Sequence, residues 1–478
     1  MDNLKKTYKG FFSLSTPATG RKVSEFLHNK IKENVTYIGR YKLNFDAEQV
    51  YTKKSSAKYS VSILGLVLNP FDGLVDTQEI VDKLYTNIEH SMDAFFDYID
   101  ELSGSFVLFY RINNNVFVLQ DACATKLCYS FEDSEDSQVC VTSHITLLAN
   151  IFNLSKNFLA SELMRHEDYK NEASKYLPGL LTPYEDVKPL IANNYFDMQK
   201  CILVRFYPRQ ELESREIDAE LVERIAGIFK RQAKMLATLG PIAIATTGGK
   251  DSRVTLASFD TITERSFGFT FWNTKTNQFL GDLNISSQLL ELKGFQHRIF
   301  DISKYGSNVQ TIMPDRSPMG IWPGAADLYE CNFDSDCIHV RSTISEVGRC
   351  FYNHTRGSSE ISPRRLAQSF TATKFSKSPV LEEIFSEYID YTNFYSERIF
   401  NYDPLDLYYW EHRNSKWQAV LCHEAELAGR VFIPFNNRKI LELFLEVPTL
   451  ARQKASLHKE LISYMYADFD NVKLDSNA

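Results

Sequence analysis

Pro241-Ile-Ala-Ile-Ala-Thr-Thr-Gly-Gly-Lys-Asp-Ser-Arg-Val-Thr-Leu-Ala257 is the stretch on which the fold reading turns. Its first five residues form a short apolar run, the pattern of a fully buried strand. Val254 to Ala257 reads as a helix, and two glycines stand between strand and helix. Gly248 and Gly249 let backbone N–H groups approach an anion with no Cβ in the way. The helix start beyond them offers free N–H groups and the positive end of its dipole. Thr247 and Ser252 add hydroxyls, and Lys250 and Arg253 add positive charge beside the turn. Asp251 would repel a phosphate alone, so its expected role is to hold Mg2+ against the phosphates. The spacing differs from the G-x-x-x-x-G-K-[ST] loop of Walker-type nucleotide sites.

Working outward, the chain continues with a strand over Ser266–Phe271, a helix from about Asp282 to Leu292, and a strand from Gln296 to Ile302. Phe269, on the first of these, completes the expected nucleotide-binding set. Strands alternating with helices predict a parallel, doubly wound sheet. From about Ser362 the pattern is mostly helical, and Val472 to Ala478 reads as a frayed tail. Upstream, Glu213 to Leu239 carries apolar residues at helical spacing and reads as a helix bridging two halves. The first 200 residues are strand-rich. Tyr59–Leu68 is a strand, Ser105–Tyr110 and Val116–Gln120 form a hairpin about Asn113-Asn-Asn115, and Val139–Thr142 is another strand. Between them Thr77 to Asp100 has the spacing of a helix. The fold class expected is therefore α/β plus α+β, in two domains.

Composition narrows the function. A net charge of −8 with no long basic run argues against nucleic acid. The eight cysteines include no CxxC pair, which argues against a disulfide framework and a zinc cluster and fits a reducing cytosol. No run of ~20 apolar residues and no signal-like start occurs, so no membrane partner is expected and the localisation read is cytoplasmic.

Thr247-Gly-Gly-Lys-Asp-Ser252 resembles the PP-loop of ATP pyrophosphatases, S-G-G-x-D-S, with Thr247 in the first Ser position. Other segments point to one family among them. Tyr176-Leu-Pro-Gly-Leu-Leu-Thr-Pro-Tyr-Glu-Asp-Val-Lys-Pro-Leu190, followed by Asn194 to Asp197, looks like the segment joining the two domains of asparagine synthetases. Leu102-Ser-Gly-Ser-Phe106, Asp121, Ser143-His144 and Leu147-Leu148 resemble that family's glutaminase domain. Ser345-Glu-Val-Gly-Arg-Cys-Phe-Tyr352 resembles its S-D-E-x-x-x-G-Y segment, and Pro434-Phe-Asn-Asn-Arg-Lys-Ile-Leu-Glu-Leu443 its P-F-L-D-x-x-L-x-E segment. The matches keep the family's order over nearly the whole chain. The resemblance implies an N-terminal Ntn-type αββα sandwich, residues 1–205, akin to class II glutamine amidotransferases. It implies a Rossmann-like synthetase domain, residues 206–478, with a helical C-terminal part.

The sequence departs from the family where glutamine is hydrolysed. Members using glutamine begin Met-Cys-Gly, and the Cys is their nucleophile; here residue 2 is Asp2, and Lys9 falls where the Cys would sit if Gly10–Leu14 is the first strand. The expectation is a degenerate glutaminase domain, as in β-lactam synthetases and lasso-peptide cyclases. Ser345 stands where the family often has Asp, so Glu346 is the second expected Mg2+ ligand beside Asp251; Ser342 lies near a position often held by Glu. By the resemblance Lys459 stabilises adenylation, with Lys454 an alternative register. Tyr352 and Glu411 are candidate bases.

The implied reaction uses ATP and Mg2+ to adenylate a small-molecule or peptide carboxylate and couples it to an amine. That amine is ammonia, an internal amine giving a lactam or macrolactam, or a second substrate. Assembly as a homodimer, or with other biosynthetic proteins, stays open. Two readings compete: a different PP-loop enzyme, for which the CxxC pairs and basic surface are missing, and a non-catalytic nucleotide-binding descendant that binds a partner.

Overall fold

The computed structural model describes residues 2–28, 30–133, 137–171, 175–260, 262–355 and 360–473. Two antiparallel six-stranded sheets fill the first half. In order across the sheet, one runs Val187–Pro189, Tyr129–Asp133, Gln138–Thr142, Phe12–Ser15, Tyr41–Asp46 and Glu33–Ile38. The other runs Ile202–Arg205, Asn194–Asp197, Asn115–Gln120, Ser103–Ile112, Tyr59–Leu68 and Tyr51–Ser55. They meet face to face through an apolar core in which Phe12 packs edge-on against Phe109, ring centroids 5.7 Å apart. The helix Pro17–Leu27 covers the outside of the first sheet and Thr77–His90 that of the second. The layering is helix, sheet, sheet, helix.

The expected strand over Tyr59–Leu68 keeps those bounds, and the hairpin lengthens to Ser103–Ile112 with Asn115–Gln120. The single helix expected over 77–100 is two. Ser91 adopts an extended conformation and its hydroxyl accepts from the Ala94 N–H, so it caps Met92–Asp100 and ends Thr77–His90. The expected first strand at Gly10 begins instead at Phe12. A short helix, Asp2–Thr7, precedes it and was not read from the sequence.

The second half centres on a five-stranded, all-parallel sheet. Its order is His297–Asp301, Phe267–Trp272, Ile242–Ala245, Ile338–Val340 and Arg430–Phe432. The outer pair of three-residue strands escaped sequence reading because each is too short to show a period. The helix expected from Glu213 is Ala219–Leu239, started by Asp218, whose carboxylate accepts from the Leu221 N–H at 2.7 Å. Ser456–Met465 packs across this helix and across Lys250–Ser258. Of the tail expected from Val472, residues 474–478 lie outside the described residues.

The two halves share a buried polar seam. Asp121 accepts the N–H groups of Thr125 and Lys126 (2.8 and 2.9 Å) and the Asn436 amide (2.8 Å). The Pro434–Arg438 segment thus ties the parallel-sheet half to the sandwich. Arg205 and Glu411 form a two-pronged ion pair at 2.6 and 2.7 Å, with the Glu411 side chain fully buried. Among the described residues no disulfide forms and no helix is long and apolar enough to cross a membrane.

Candidate functional site

Ile242–Ala245 ends at the quoted turn, and Lys250–Ser258 begins with Gly249 as its cap residue. The turn is held open from within. The Thr247 N–H donates to Ser252 Oγ at 2.8 Å, and the Gly249 N–H donates to Thr247 Oγ1 at 3.3 Å. The Gly248 N–H donates to Asp282 Oδ1 at 2.7 Å, so a carboxylate already sits on the anion-seeking backbone. Ser252 is buried and Thr247 exposed, which gives the first a bracing role and leaves the second facing outward.

A 3-10 turn, Ser345–Arg349, brings the second carboxylate. It is flanked by two residues in the left-handed region, Ile344 at φ +81° and Cys350 at φ +56°. For β-branched Ile344 this is an outlier of the kind that costs ~1–3 kcal/mol and clusters at functional sites. The turn also needs Gly348, since a Cβ there would lie 2.8 Å from Phe444 Cβ.

Asp251 and Glu346 face one another across a guanidinium. Arg349 Nη2 donates to Asp251 Oδ2 at 2.7 Å and stands 3.8 Å from Glu346 Oε1. Burial, and next the charge of Glu346, push the Asp251 carboxyl up to about 7, against the pull of Arg349. His458 Nε2 lies 3.6 Å from Asp251 Oδ1, and burial holds that imidazole well below the usual histidine range. Lys250 is also lowered, by burial and then by the charges of Arg349 and Lys459, which puts Lys459 within electrostatic reach of the turn. Lys459 itself is exposed.

Three buried polar atoms of these groups have no hydrogen-bond partner: Asp251 Oδ1, Glu346 Oε2 and His458 Nε2. Buried polar atoms are ordinarily satisfied, and here water, an ion or a ligand would complete the bonding. The residues fit a magnesium ion that arrives with a polyphosphate. Mg2+ is commonly held by one or two carboxylates with the remaining positions filled by phosphate oxygens and water. They do not form a cage of their own, since no group of three or more metal-binding side chains occurs among the described residues.

Five expected site residues are placed elsewhere. Arg253 turns away from the turn: its guanidinium donates to the carbonyls of Phe469, Val472 and Lys473, at 2.6 to 3.0 Å, and so ties down the C-terminal segment. The Phe269 side chain is buried in an aromatic core with Tyr329, Phe333 and His339; only its carbonyl reaches the turn, accepting from the Thr246 N–H. Tyr352 is buried against Tyr408 and Tyr409, and desolvation raises its hydroxyl well above 10, so at neutral pH it is a phenol and not a base. Glu411 is consumed by Arg205 at the seam. Lys454 is exposed at the end of Thr449–Gln453.

Sequence reading missed Arg349; for Trp410–Arg413 and Trp417 it gave a helical stretch, either packed with ion pairs or lining a substrate pocket. Tyr409–Gln418 is a π-helix, a geometry that concentrates at functional sites. It carries Arg413, whose guanidinium lies 4.7 Å from the Trp417 ring centroid and 4.9 Å from that of Phe351, with Tyr176 and Tyr409 beyond. Phe351 is 44% exposed, so this cationic, aromatic wall reaches the surface next to the Ser345–Arg349 turn. A signal existed in the i, i+4, i+8 spacing of Tyr409, Arg413 and Trp417, which places a cation between two aromatic rings along one helical face.

No family model matches the chain, and no curated protein is similar to it. Among solved structures, glutamine phosphoribosylpyrophosphate amidotransferase from B. subtilis, complexed with ADP and GMP, aligns at 8% identity and a TM-score of 0.25, over 62% of this chain. The chain spans 61% of that protein's length. A structure described as the allosteric regulatory enzyme of purine biosynthesis aligns at 9% identity and a TM-score of 0.26, over 62% of this chain and 76% of its own.

Proposed function

We propose that the chain is an ATP-dependent, AMP-forming amide ligase of asparagine synthetase type. Its N-terminal sandwich would be a degenerate Ntn-type amidotransferase domain and its parallel-sheet half a Rossmann-like synthetase domain. The observation that carries the reading is the convergence of Asp251, Glu346, Arg349 and Lys250 on a glycine turn at a helix N-terminus, amid orphaned polar atoms. That combination suits a magnesium-bound polyphosphate. A carboxylate oxygen attacks the α-phosphorus of ATP, the α–β bridging bond breaks, and pyrophosphate leaves with its electron pair. The amine then attacks the acyl carbon, AMP departs and the amine loses a proton. Asp251 and Glu346 would hold Mg2+, which would supply Lewis-acid stabilisation of the leaving pyrophosphate. Lys250 would orient the phosphates beside the turn, Lys459 would approach from the facing helix, and the Arg413 wall would be the surface on which the carboxylate substrate lies.

Glutamine is not the nitrogen source in this reading. The residues leading into Phe12–Ser15 are Lys9, Gly10 and Phe11, none of them a cysteine, and Lys9 donates to the Leu427 carbonyl at 3.0 Å. The protein incubated with Mg-ATP and a fractionated small-molecule extract is expected to yield AMP and pyrophosphate and to release no glutamate from glutamine. ADP and phosphate as products would contradict the reading. A non-catalytic descendant would bind Mg-ATP and yield neither.

A further inference from the structure

We infer that Arg349 is a resident counter-cation of the Asp251–Glu346 pair that keeps free divalent metal out, and that it moves onto the polyphosphate when metal and ATP enter together. The inference rests on the nucleotide reading above and assigns a residue that no motif named.

The geometry states the competition. Arg349 Nη2 occupies Asp251 Oδ2 at 2.7 Å and lies 3.8 Å from Glu346 Oε1. A divalent ion at coordination distance, ~2.0–2.1 Å for Mg2+, cannot share that oxygen with the guanidinium on the same side. Charge makes the same point. Arg349 already offsets the negative charge of Asp251 and Glu346 before any metal enters, which weakens their pull on a bare ion. A tripolyphosphate changes the count. It brings several negative charges, so metal and guanidinium are both needed, and a guanidinium pairs readily with two phosphate oxygens. Asp251 Oδ1 and Glu346 Oε2 have no hydrogen-bond partner, which leaves one oxygen of each carboxylate ready for the metal as Arg349 withdraws. The Arg349 side chain is 24% exposed, so it has room to swing.

Mn2+ binding to the full chain, followed by electron paramagnetic resonance, tests this with and without α,β-methylene-ATP. Wild type is expected to take up Mn2+ weakly alone and much more tightly with the analogue. Arg349→Ala is expected to bind Mn2+ alone about tenfold more tightly and, with Mn2+ present, to bind the analogue at least tenfold more weakly. Arg349→Lys, which keeps the charge without the fork, is expected to lie between. Asp251→Ala is expected to lose Mn2+ in both conditions. Melting curves for each variant separate these effects from misfolding, and a variant that does not fold is replaced by Arg349→Gln. Unchanged or weaker Mn2+ affinity in the folded Arg349 variants would overturn the inference while leaving the nucleotide reading intact. Failure of wild type to bind the analogue at all would overturn both.

Discussion

Arg253 illustrates how far a motif reaches at the scale of one residue. Its place directly after the glycine turn suggested a phosphate contact, yet its side chain crosses to three carbonyls near the C-terminus. Sequence gives the order of residues on a helix but not which neighbour fills the far side. Arg253→Met is expected to cost about 2–4 kcal/mol of stability, because buried carbonyls lose charged donors. Chemical denaturation measures it, and analogue affinity is expected to hold within about twofold. Thr247 through Ser252 was legible because the turn's chemistry is local: glycines, hydroxyls and a helix start within six residues. Glu346 was legible only through resemblance. Arg349 was not, since its meaning depends on a partner 98 positions away.

At the scale of elements, the turn Ser345–Arg349 and the π-helix Tyr409–Gln418 carry what the glycine turn cannot, the second carboxylate and the aromatic wall. The long strands and helices were readable from their periods. The three-residue strands Ile338–Val340 and Arg430–Phe432, which bring those segments beside the turn, were not. The π-helix is locked to the sandwich by Glu411 and Arg205. Breaking a buried ion pair leaves an uncompensated charge, so Arg205→Met is expected to destabilise by about 3–5 kcal/mol. The double variant Arg205→Met/Glu411→Met is expected to recover much of that loss, measurable as a coupling in denaturant unfolding; additive losses would contradict the pairing. Arg413→Ala is expected to weaken carboxylate-dependent turnover roughly tenfold or more, through KM, with analogue affinity unchanged.

The whole molecule is held by buried polar chemistry, and this gives it a pH dependence. His144, His339, His412 and His423 are buried, and desolvation holds each well below the usual histidine range. Above about pH 6.5 they are neutral in both folded and unfolded chains and cost nothing. As pH falls below that value the unfolded chain takes up protons that the folded chain refuses. Each histidine then removes up to ~1.4 kcal/mol of stability per pH unit. The melting temperature is expected to fall steadily from pH 6.5 to 5, and less steeply in His144→Gln/His423→Gln, whose rings pack 4.5 Å apart; equal slopes would count against this origin. The central claim is that this assembly splits ATP between the α and β phosphates. The most direct measurement is ATP–pyrophosphate exchange with Mg2+ and a carboxylate-bearing extract, comparing wild type with Asp251→Ala. The account predicts exchange in wild type and a loss of roughly 100-fold or more in the variant. Exchange that survives Asp251→Ala, or wild type that binds Mg-ATP and never exchanges label in any fraction, would contradict it.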